Sequence, residues 1–163
     1  MTQHNGSPRT GHAGRHQPVS PSVVVIEDDA DIRTLIETIL ARAGMTVHGA
    51  STAGEGIALA SRILPDLVTI DIGLPDADGL DVAAFLRDLT STRDIPILMI
   101  SASAHATEVE RARSRGAEAY LSKPFRPRQL REKVAALLAA ADTIPSTLGT
   151  PHCDECLTGA GAP

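Results

Sequence analysis

Leu67-Val68-Thr69-Ile70-Asp71 runs directly into Ile72-Gly73-Leu74-Pro75-Asp76-Ala77-Asp78-Gly79. Four residues that favour β-strands lead into a carboxylate, and a loop rich in proline, glycine and aspartate follows at once. This pattern predicts a buried strand with Asp71 at the point where the chain leaves the sheet. An isolated aspartate in such a place is more often an ordinary strand end than a ligand or a nucleophile, so its role depends on the rest of the chain.

Four further strand-like segments and five helix-like segments surround this stretch. The strand-like segments are short apolar runs, and the helix-like segments repeat apolar residues every three or four positions. In chain order we predict a strand at Val23–Ile26, a helix from about Ile32 to Gly44, a strand around Met45–Gly49, a helix from Thr52 to about Leu64, the strand Leu67–Asp71, a helix from Val82 to Leu89, a strand at Pro96–Ile100, a helix from Thr107 to about Gly116, a strand at Ala119–Ser122 and a helix marked by Leu130 to Leu138. This alternation predicts an α/β fold, a flavodoxin-like three-layer sandwich whose parallel sheet has the order 2-1-3-4-5.

Polar residues near the predicted helix starts indicate how the helices are capped. Thr52 and Thr107 each stand three residues before a glutamate, which is the pattern of a capping box. In the loop that follows the third strand, Asp76, Asp78 and Asp81 are interpreted as turn and cap residues rather than as ligands.

The composition is that of an ordinary globular chain, with 163 residues of which 42% are hydrophobic and 21% are charged. A net charge of −5 argues against a general basic surface for nucleic acid. No apolar run approaches the roughly 20 residues of a membrane span, and the N-terminus lacks a signal-peptide stretch. We therefore predict a cytoplasmic protein without direct nucleic-acid contact and without membrane insertion.

The ends of the chain differ in composition from its middle. Residues 1–21 and 142–163 are rich in glycine, proline and small polar residues, and such segments bury too little apolar surface to offset the entropy of ordering. We predict two disordered tails around one domain at 22–141. The only cysteines, Cys153 and Cys156, lie in the second tail and supply half of a zinc site at best. Two free thiols are the preferred interpretation, and a second chain completing the site is the alternative.

Chemically useful side chains follow four of the five predicted strands. Glu27 and Asp28 follow the first strand, Asp71 ends the third, Ser101 follows the fourth and Lys123 follows the fifth. The carboxyl ends of parallel strands meet at one edge, and ligands bind where the strand order reverses, here between strands one and three. Carboxylates 4 Å apart repel by roughly 4 kcal/mol at an effective dielectric of 20, and Mg²⁺ would remove that repulsion. A lysine and a hydroxyl opposite would grip phosphoryl oxygens, so Asp71 is predicted to be a phosphoryl acceptor.

These residues and their neighbours resemble the receiver domain of two-component response regulators, over about Ser22 to Ala141. The motifs that carry the resemblance stand here as Val-Ile-Glu27-Asp28-Asp29, Asp71-x-x-Leu74-Pro75-x-x-Asp78-Gly79, Ile100-Ser101-Ala102 and Ser122-Lys123-Pro124-Phe125. The resemblance implies that Asp71 is the aspartate that becomes phosphorylated. It also implies that Asp28, Asp71 and the backbone carbonyl of Gly73 bind Mg²⁺, with Glu27 assisting through water.

The same resemblance implies how a phosphorylated state would be recognised. Ser101 and Tyr120 look like the switch pair, and Lys123 looks like the residue that bridges to the phosphate. The Lys123–Pro124 peptide bond is expected to be cis, as in the family. Ala77 departs from the usual pattern, because the family commonly carries a bulky apolar residue at that position.

The resemblance also implies the partners. The phosphoryl group would come from a sensor histidine kinase or a histidine phosphotransfer protein, and the chain would assist its own phosphorylation and dephosphorylation without being an enzyme in the usual sense. The segment after Ala141 is too short for an output domain, so a stand-alone receiver is expected. It would contact a separate effector protein or a second copy of itself through the face of helix four, strand five and helix five. A phosphorelay shuttle and a phosphate sink are the alternatives.

Other site classes fit the sequence less well. A phosphatase of the haloacid-dehalogenase type needs a second aspartate where this chain has Gly73. An EF-hand around residues 74–85 would begin at Leu74 and end at Phe85, both of which are unsuitable calcium ligands. A dinucleotide site fails because the turn after the first strand is acidic and lacks glycine. A receiver-like module that cannot be phosphorylated would lack part of the constellation, and every member of it is present.

Overall fold

A computed structural model describes residues 20–102 and 105–141 of the chain. Most of both predicted tails, including Cys153 and Cys156, lies outside these residues, and the predictions made for them stay predictions. Within the described ranges, none of the helices combines the length and the apolar composition needed to cross a bilayer.

Five strands and five helices alternate along the described chain, as predicted. They are β1 (Ser22–Ile26), α1 (Ala30–Arg42), β2 (Thr46–Ala50), α2 (Ala53–Ile63), β3 (Leu67–Asp71), α3 (Gly79–Asp88), β4 (Ile97–Ser101), α4 (Ala106–Ser114), β5 (Ala119–Ser122) and α5 (Pro127–Ala141). The strands form one parallel sheet in the order β2-β1-β3-β4-β5, which confirms the predicted topology.

The local predictions hold at one capping box and fail at the other. Thr52 caps α2, since its hydroxyl accepts a hydrogen bond from the Glu55 backbone at 3.2 Å, and Glu55 accepts from the backbone of Ser51 at 2.9 Å. The prediction for Thr107 is wrong, because α4 begins one residue earlier and His105 is its N-cap, without a side-chain capping bond.

The two faces of the sheet are covered by different helices. One face packs against α1 and α5, with Ile36, Leu40 and Leu130 fully buried there. The other face packs against α2, α3 and α4, and β3 and β4 between the two layers are buried along their whole length. This two-sided burial explains the continuous apolar runs in the sequence, and it leaves the strand ends as the place for polar groups.

Helix α4 is held mainly at its C-terminal end. Ala112 is the one buried residue among the described residues of α4. Just beyond the helix, Arg115 pairs with Asp81 of α3 at 2.7 Å. Arg87 of α3 donates to the carbonyl of Gly116 at 2.9 Å and pairs with Glu118. These contacts fasten the α4–β5 connection to α3 at the edge of the sheet opposite the carboxyl ends of the strands.

Candidate functional site

Three carboxylates converge at the carboxyl ends of β1 and β3. Each of Glu27, Asp28 and Asp71 has a carboxylate oxygen within 4.8 Å of the others. Glu27 is 1% exposed and Asp71 is 7% exposed, whereas Asp28 is open to solvent. Because β1 and β3 are neighbours in the sheet, residues 43 to 44 positions apart along the chain meet at the predicted crevice.

Lys123 closes one side of this acidic cluster. Its Nζ donates a hydrogen bond to Glu27 Oε1 at 3.0 Å, lies 2.8 Å from Glu27 Oε2 and lies 3.2 Å from Asp71 Oδ1. The backbone of Lys123 donates to the carbonyl of Ser101 at 2.6 Å, which joins the ends of β4 and β5. The Lys123–Pro124 peptide bond is cis, as the resemblance implied.

Burial and neighbouring charges act in opposite directions on the pKa values of Glu27 and Lys123. Burial raises the pKa of Glu27, and the charge of Asp71 adds to the rise, although the hydrogen bond from Lys123 works against it. Burial alone would lower the pKa of Lys123, but the hydrogen bond with Glu27 and the charge of Asp71 outweigh it, so the pKa of Lys123 is raised. One lysine thus lies beside a cluster of three carboxylates, so the negative charge of the cluster is only partly neutralised and a further positive charge would be bound favourably.

The residues present fit a divalent cation. Glu27 Oε2 is buried and, despite its closeness to Lys123, accepts no hydrogen bond of good geometry from the described residues. A buried carboxylate oxygen without such a partner is costly, and a bound cation with its hydration water would satisfy it. The donor atoms are carboxylate oxygens, which are the hard ligands that Mg²⁺ prefers.

The loop between β3 and α3 folds back against the site. The Gly79 backbone donates to the carbonyl of Ile72 at 2.9 Å, and Gly73 forms an isolated bridge with Asp78. Asp78 caps α3 by accepting from the backbone of Leu80 at 2.9 Å, so the cap prediction for this aspartate is confirmed. The loop therefore has a closed base directly beside the strand end that carries Asp71.

Two residues near the site make contacts that sequence reasoning did not predict. Arg33 of α1 donates through Nη1 to the carbonyl oxygens of Glu27 at 2.7 Å and Asp28 at 3.3 Å, and so holds the loop that presents the two acids. Asp76 is a cap residue, as predicted, but it caps α2 rather than the helix that follows it in the chain. Arg33 is only five and six residues from its partners, so its contact could have been predicted from a basic residue one turn into α1. Asp76 is more than 20 residues from its partners in α2, and no local sequence pattern indicates that contact.

Ser101 and Tyr120 connect the site to α4. Ser101 ends β4 and is 5% exposed, while Tyr120 in β5 is half-buried against the core. The two side chains share a hydrogen bond, and the Tyr120 hydroxyl donates to Glu108 Oε2 of α4 at 3.3 Å. Burial and the nearby charge of Glu108 raise the pKa of Tyr120, although its hydrogen bond with Ser101 lowers it, so the hydroxyl stays protonated and able to donate at neutral pH.

The raised pKa of Glu27 predicts a specific pH dependence of stability. The folded chain holds this proton more tightly than the unfolded chain does, so the contribution of Glu27 to the free energy of unfolding falls as pH rises through its raised pKa. We expect Glu27→Gln to stabilise the metal-free protein more at about pH 7.5 than at about pH 5. Mg²⁺ should raise the melting temperature of the wild type more at the higher pH. Thermal unfolding by circular dichroism measures both, and an equal effect at the two pH values would contradict this account.

The protein is an α/β sandwich that carries a strand-end aspartate, two further acids, a lysine and a serine at the carboxyl edge of its parallel sheet. The model of the family described as the response regulator receiver domain matches residues 23–135. The chain belongs to the response regulator receiver domain family, and its fold is that of these domains.

Curated relatives agree with this membership. The DNA-binding dual master transcriptional regulator RpaA of Synechocystis is 38% identical over 125 residues, which cover 77% of this chain and 52% of the relative. The KDP operon transcriptional regulatory protein KdpE of Escherichia coli is 37% identical over 129 residues, which cover 78% of this chain and 56% of the relative. The chain therefore spans about half the length of these curated relatives.

Some solved structures match over nearly their whole length. A putative response regulator from Chloroflexus aurantiacus superposes with a TM-score of 0.72 at 30% identity, covering 74% of this chain and 99% of that one. A CheY-like response regulator receiver domain protein from Methanospirillum hungatei superposes with a TM-score of 0.71 at 29% identity, covering 76% of this chain and 98% of that one.

Proposed function

We propose that this receiver accepts a phosphoryl group on Asp71 from a sensor histidine kinase or a histidine phosphotransfer protein, in a reaction that requires Mg²⁺. The observation that carries the proposal is the position of Asp71, a nearly buried carboxylate with Lys123 Nζ 3.2 Å from Oδ1 and two further acids beside it. The test is Mg²⁺-dependent phosphorylation of Asp71 by a small phosphodonor.

Each side chain has a role in this transfer. A carboxylate oxygen of Asp71 attacks phosphorus, the phosphorus–nitrogen bond of the donor histidine breaks, and the leaving imidazole keeps the electron pair. Lys123 and Ser101 donate to the phosphoryl oxygens as charge moves onto them. Bound Mg²⁺ supplies charge neutralisation for the carboxylates and the phosphoryl oxygens. Asp28, Asp71 and the carbonyl of Gly73 would hold the ion, with Glu27 acting through water.

The hydrogen bonds from Ser101 through Tyr120 to Glu108 support a route from the site to α4. A phosphoryl group on Asp71 adds acceptor oxygens that compete for the Ser101 hydroxyl. Tyr120 then loses one of its two side-chain partners, and the contact between β5 and α4 changes. Because α4 buries only Ala112 among its described residues, it needs little energy to shift.

The face of α4, β5 and α5 is the proposed output surface. A groove of about 300 Å³ lies on it, lined by apolar side chains, by Tyr120, by the cations Arg113 and Lys133 and by the acid Glu118. A change at Tyr120 would therefore alter the lining of the groove. The partner is a separate effector protein or a second copy of the chain, bound in a phosphorylation-dependent way.

Beryllofluoride, which mimics the phosphorylated state, should report this route. In the wild type we expect amide shifts to extend from the strand ends into α4, and in Ser101→Ala they should stop short of it. Tyr120→Phe is the matched variant, because it keeps the packed ring and removes only the hydroxyl that joins Ser101 to Glu108. It should bind beryllofluoride normally while its α4 shifts shrink. Wild-type shifts confined to the strand-end loops would rule out the α4 route.

A further inference from the structure

Asp76, at the tip of the β3–α3 loop, binds the start of a different helix. Its Oδ1 accepts a hydrogen bond from the backbone of Ala53 at 2.8 Å, and its Oδ2 accepts from the backbone of Gly54 at 3.1 Å. These two amides belong to the first turn of α2, more than 20 residues earlier in the chain. Both carboxylate oxygens are used, so the loop tip is held in orientation as well as in position.

Helix α2 has its own cap, so the contact does more than complete a helix end. Thr52 accepts from the third amide of the turn, and Glu55 binds back to Ser51. The bonds from Ala53 and Gly54 hold the pKa of Asp76 below its ordinary value, because they stabilise the charged carboxylate. An anion at a helix N-terminus is favourable, and the same charge fastens the loop to α2.

Gly73 lies within the loop that Asp76 fastens. The base of the loop is closed by the bond from Gly79 to Ile72, and Leu74 is buried in the core. Gly73 itself is exposed and lies beside the carboxylate of Asp71, since a Cβ built on Gly73 would stand 3.8 Å from Asp71 Oδ2. The position of the Gly73 backbone is therefore restricted by the burial of Leu74 and by the two hydrogen bonds of Asp76 at the loop tip.

We propose that Asp76 is a positioning residue for the cation site: its two bonds to α2 hold the loop so that the Gly73 carbonyl faces the ion bound by Asp28 and Asp71. The inference rests on the proposed function, because it assumes a cation at this site. Asp76 acts through the backbone and does not touch the ion. Its loss should weaken Mg²⁺ binding while the carboxylates that hold the ion remain in place.

The experiment is an Mg²⁺ titration followed by amide shifts at Asp28 and Asp71 in the full-length chain. Asp76→Ala should weaken binding on the order of 10-fold. Asp31→Ala is the matched control, since Asp31 is also an exposed aspartate, in the first turn of α1 at this edge, and its side chain makes no hydrogen bond or ion pair among the described residues. The control should stay within about 2-fold of the wild type, because an exposed charge is well screened. Asp76→Asn keeps one acceptor oxygen and should fall between the two.

Hydrogen exchange at the Ala53 and Gly54 amides separates the possible outcomes. Faster exchange in Asp76→Ala together with weaker Mg²⁺ binding supports the proposal. Faster exchange with unchanged Mg²⁺ affinity would show that Asp76 only caps α2. An equal loss of Mg²⁺ affinity in Asp31→Ala would show that the effect comes only from removing a negative charge. Either this result or an unchanged Mg²⁺ affinity in Asp76→Ala overturns the inference and leaves the proposed function standing. A wild type that shows no Mg²⁺-dependent shifts at Asp28 and Asp71 overturns both. If Asp76→Ala does not fold, Asp76→Asn decides by the same two readouts.

Discussion

Asp71→Asn is expected to abolish Mg²⁺-dependent phosphorylation by acetyl phosphate. The amide oxygen of asparagine is a poor nucleophile, and its loss of charge also weakens cation binding. We expect this assay to need no kinase, because the proposed acceptor Asp71 already lies 3.2 Å from Lys123 Nζ and beside the two acids proposed to hold the ion. Intact-mass spectrometry measures the added phosphoryl group, and chelation of Mg²⁺ by EDTA should prevent its addition to the wild type.

A matched variant separates the acceptor from general changes in charge. Asp31→Asn makes the same chemical change at an exposed position of α1 and should be phosphorylated like the wild type. Lys123→Ala should bind Mg²⁺ but accept the phosphoryl group slowly, because the cation opposite the acids is gone. Phosphorylation that persists in Asp71→Asn at the wild-type level would show that the acceptor lies elsewhere.

Gly79→Ala is expected to destabilise the fold by about 3 kcal/mol or more. A Cβ at this position would lie 2.1 Å from the carbonyl oxygen of Asp71 and 2.8 Å from the Cα of Ile72. Both neighbours are backbone atoms, so no side-chain rotation relieves the clash. The first turn of α3 must move away from the end of β3, and the loop that carries Gly73 must move with it.

Gly54→Ala provides the comparison for this effect. An added Cβ there has only Asp76 Oδ2 within 4 Å, at 3.9 Å, so the change fits without strain. Alanine in a helix should leave the free energy of unfolding unchanged or raise it by up to about 1 kcal/mol. Urea unfolding followed by circular dichroism measures both variants, since the chain has no tryptophan. Similar stabilities for Gly79→Ala and the wild type would contradict the close backbone approach.

The sequence by itself determined the sheet and the residues at its carboxyl edge. Apolar runs such as Leu67–Ile70 need burial on both faces, and alternation with helices on short connections allows few arrangements besides a parallel sheet. In a parallel sheet, the carboxyl ends of all strands lie at the same edge, however far apart the strands are along the chain. The meeting of Glu27, Asp71 and Lys123 was therefore predictable without coordinates, and the distances between them were not.

Only the tertiary structure decided how the loops around that edge are held. Asp76 bonds to α2, Arg33 bonds to two carbonyls of the β1–α1 loop, and Arg87 fastens the α4–β5 connection. Hydrogen bonds from side chains to distant backbone groups follow no sequence period, so the local sequence around such a side chain does not indicate which backbone group it binds. The start of α4 at Ala106, with His105 as its N-cap, also departed from the capping-box pattern at Thr107, because such local preferences are weak and tertiary context overrides them.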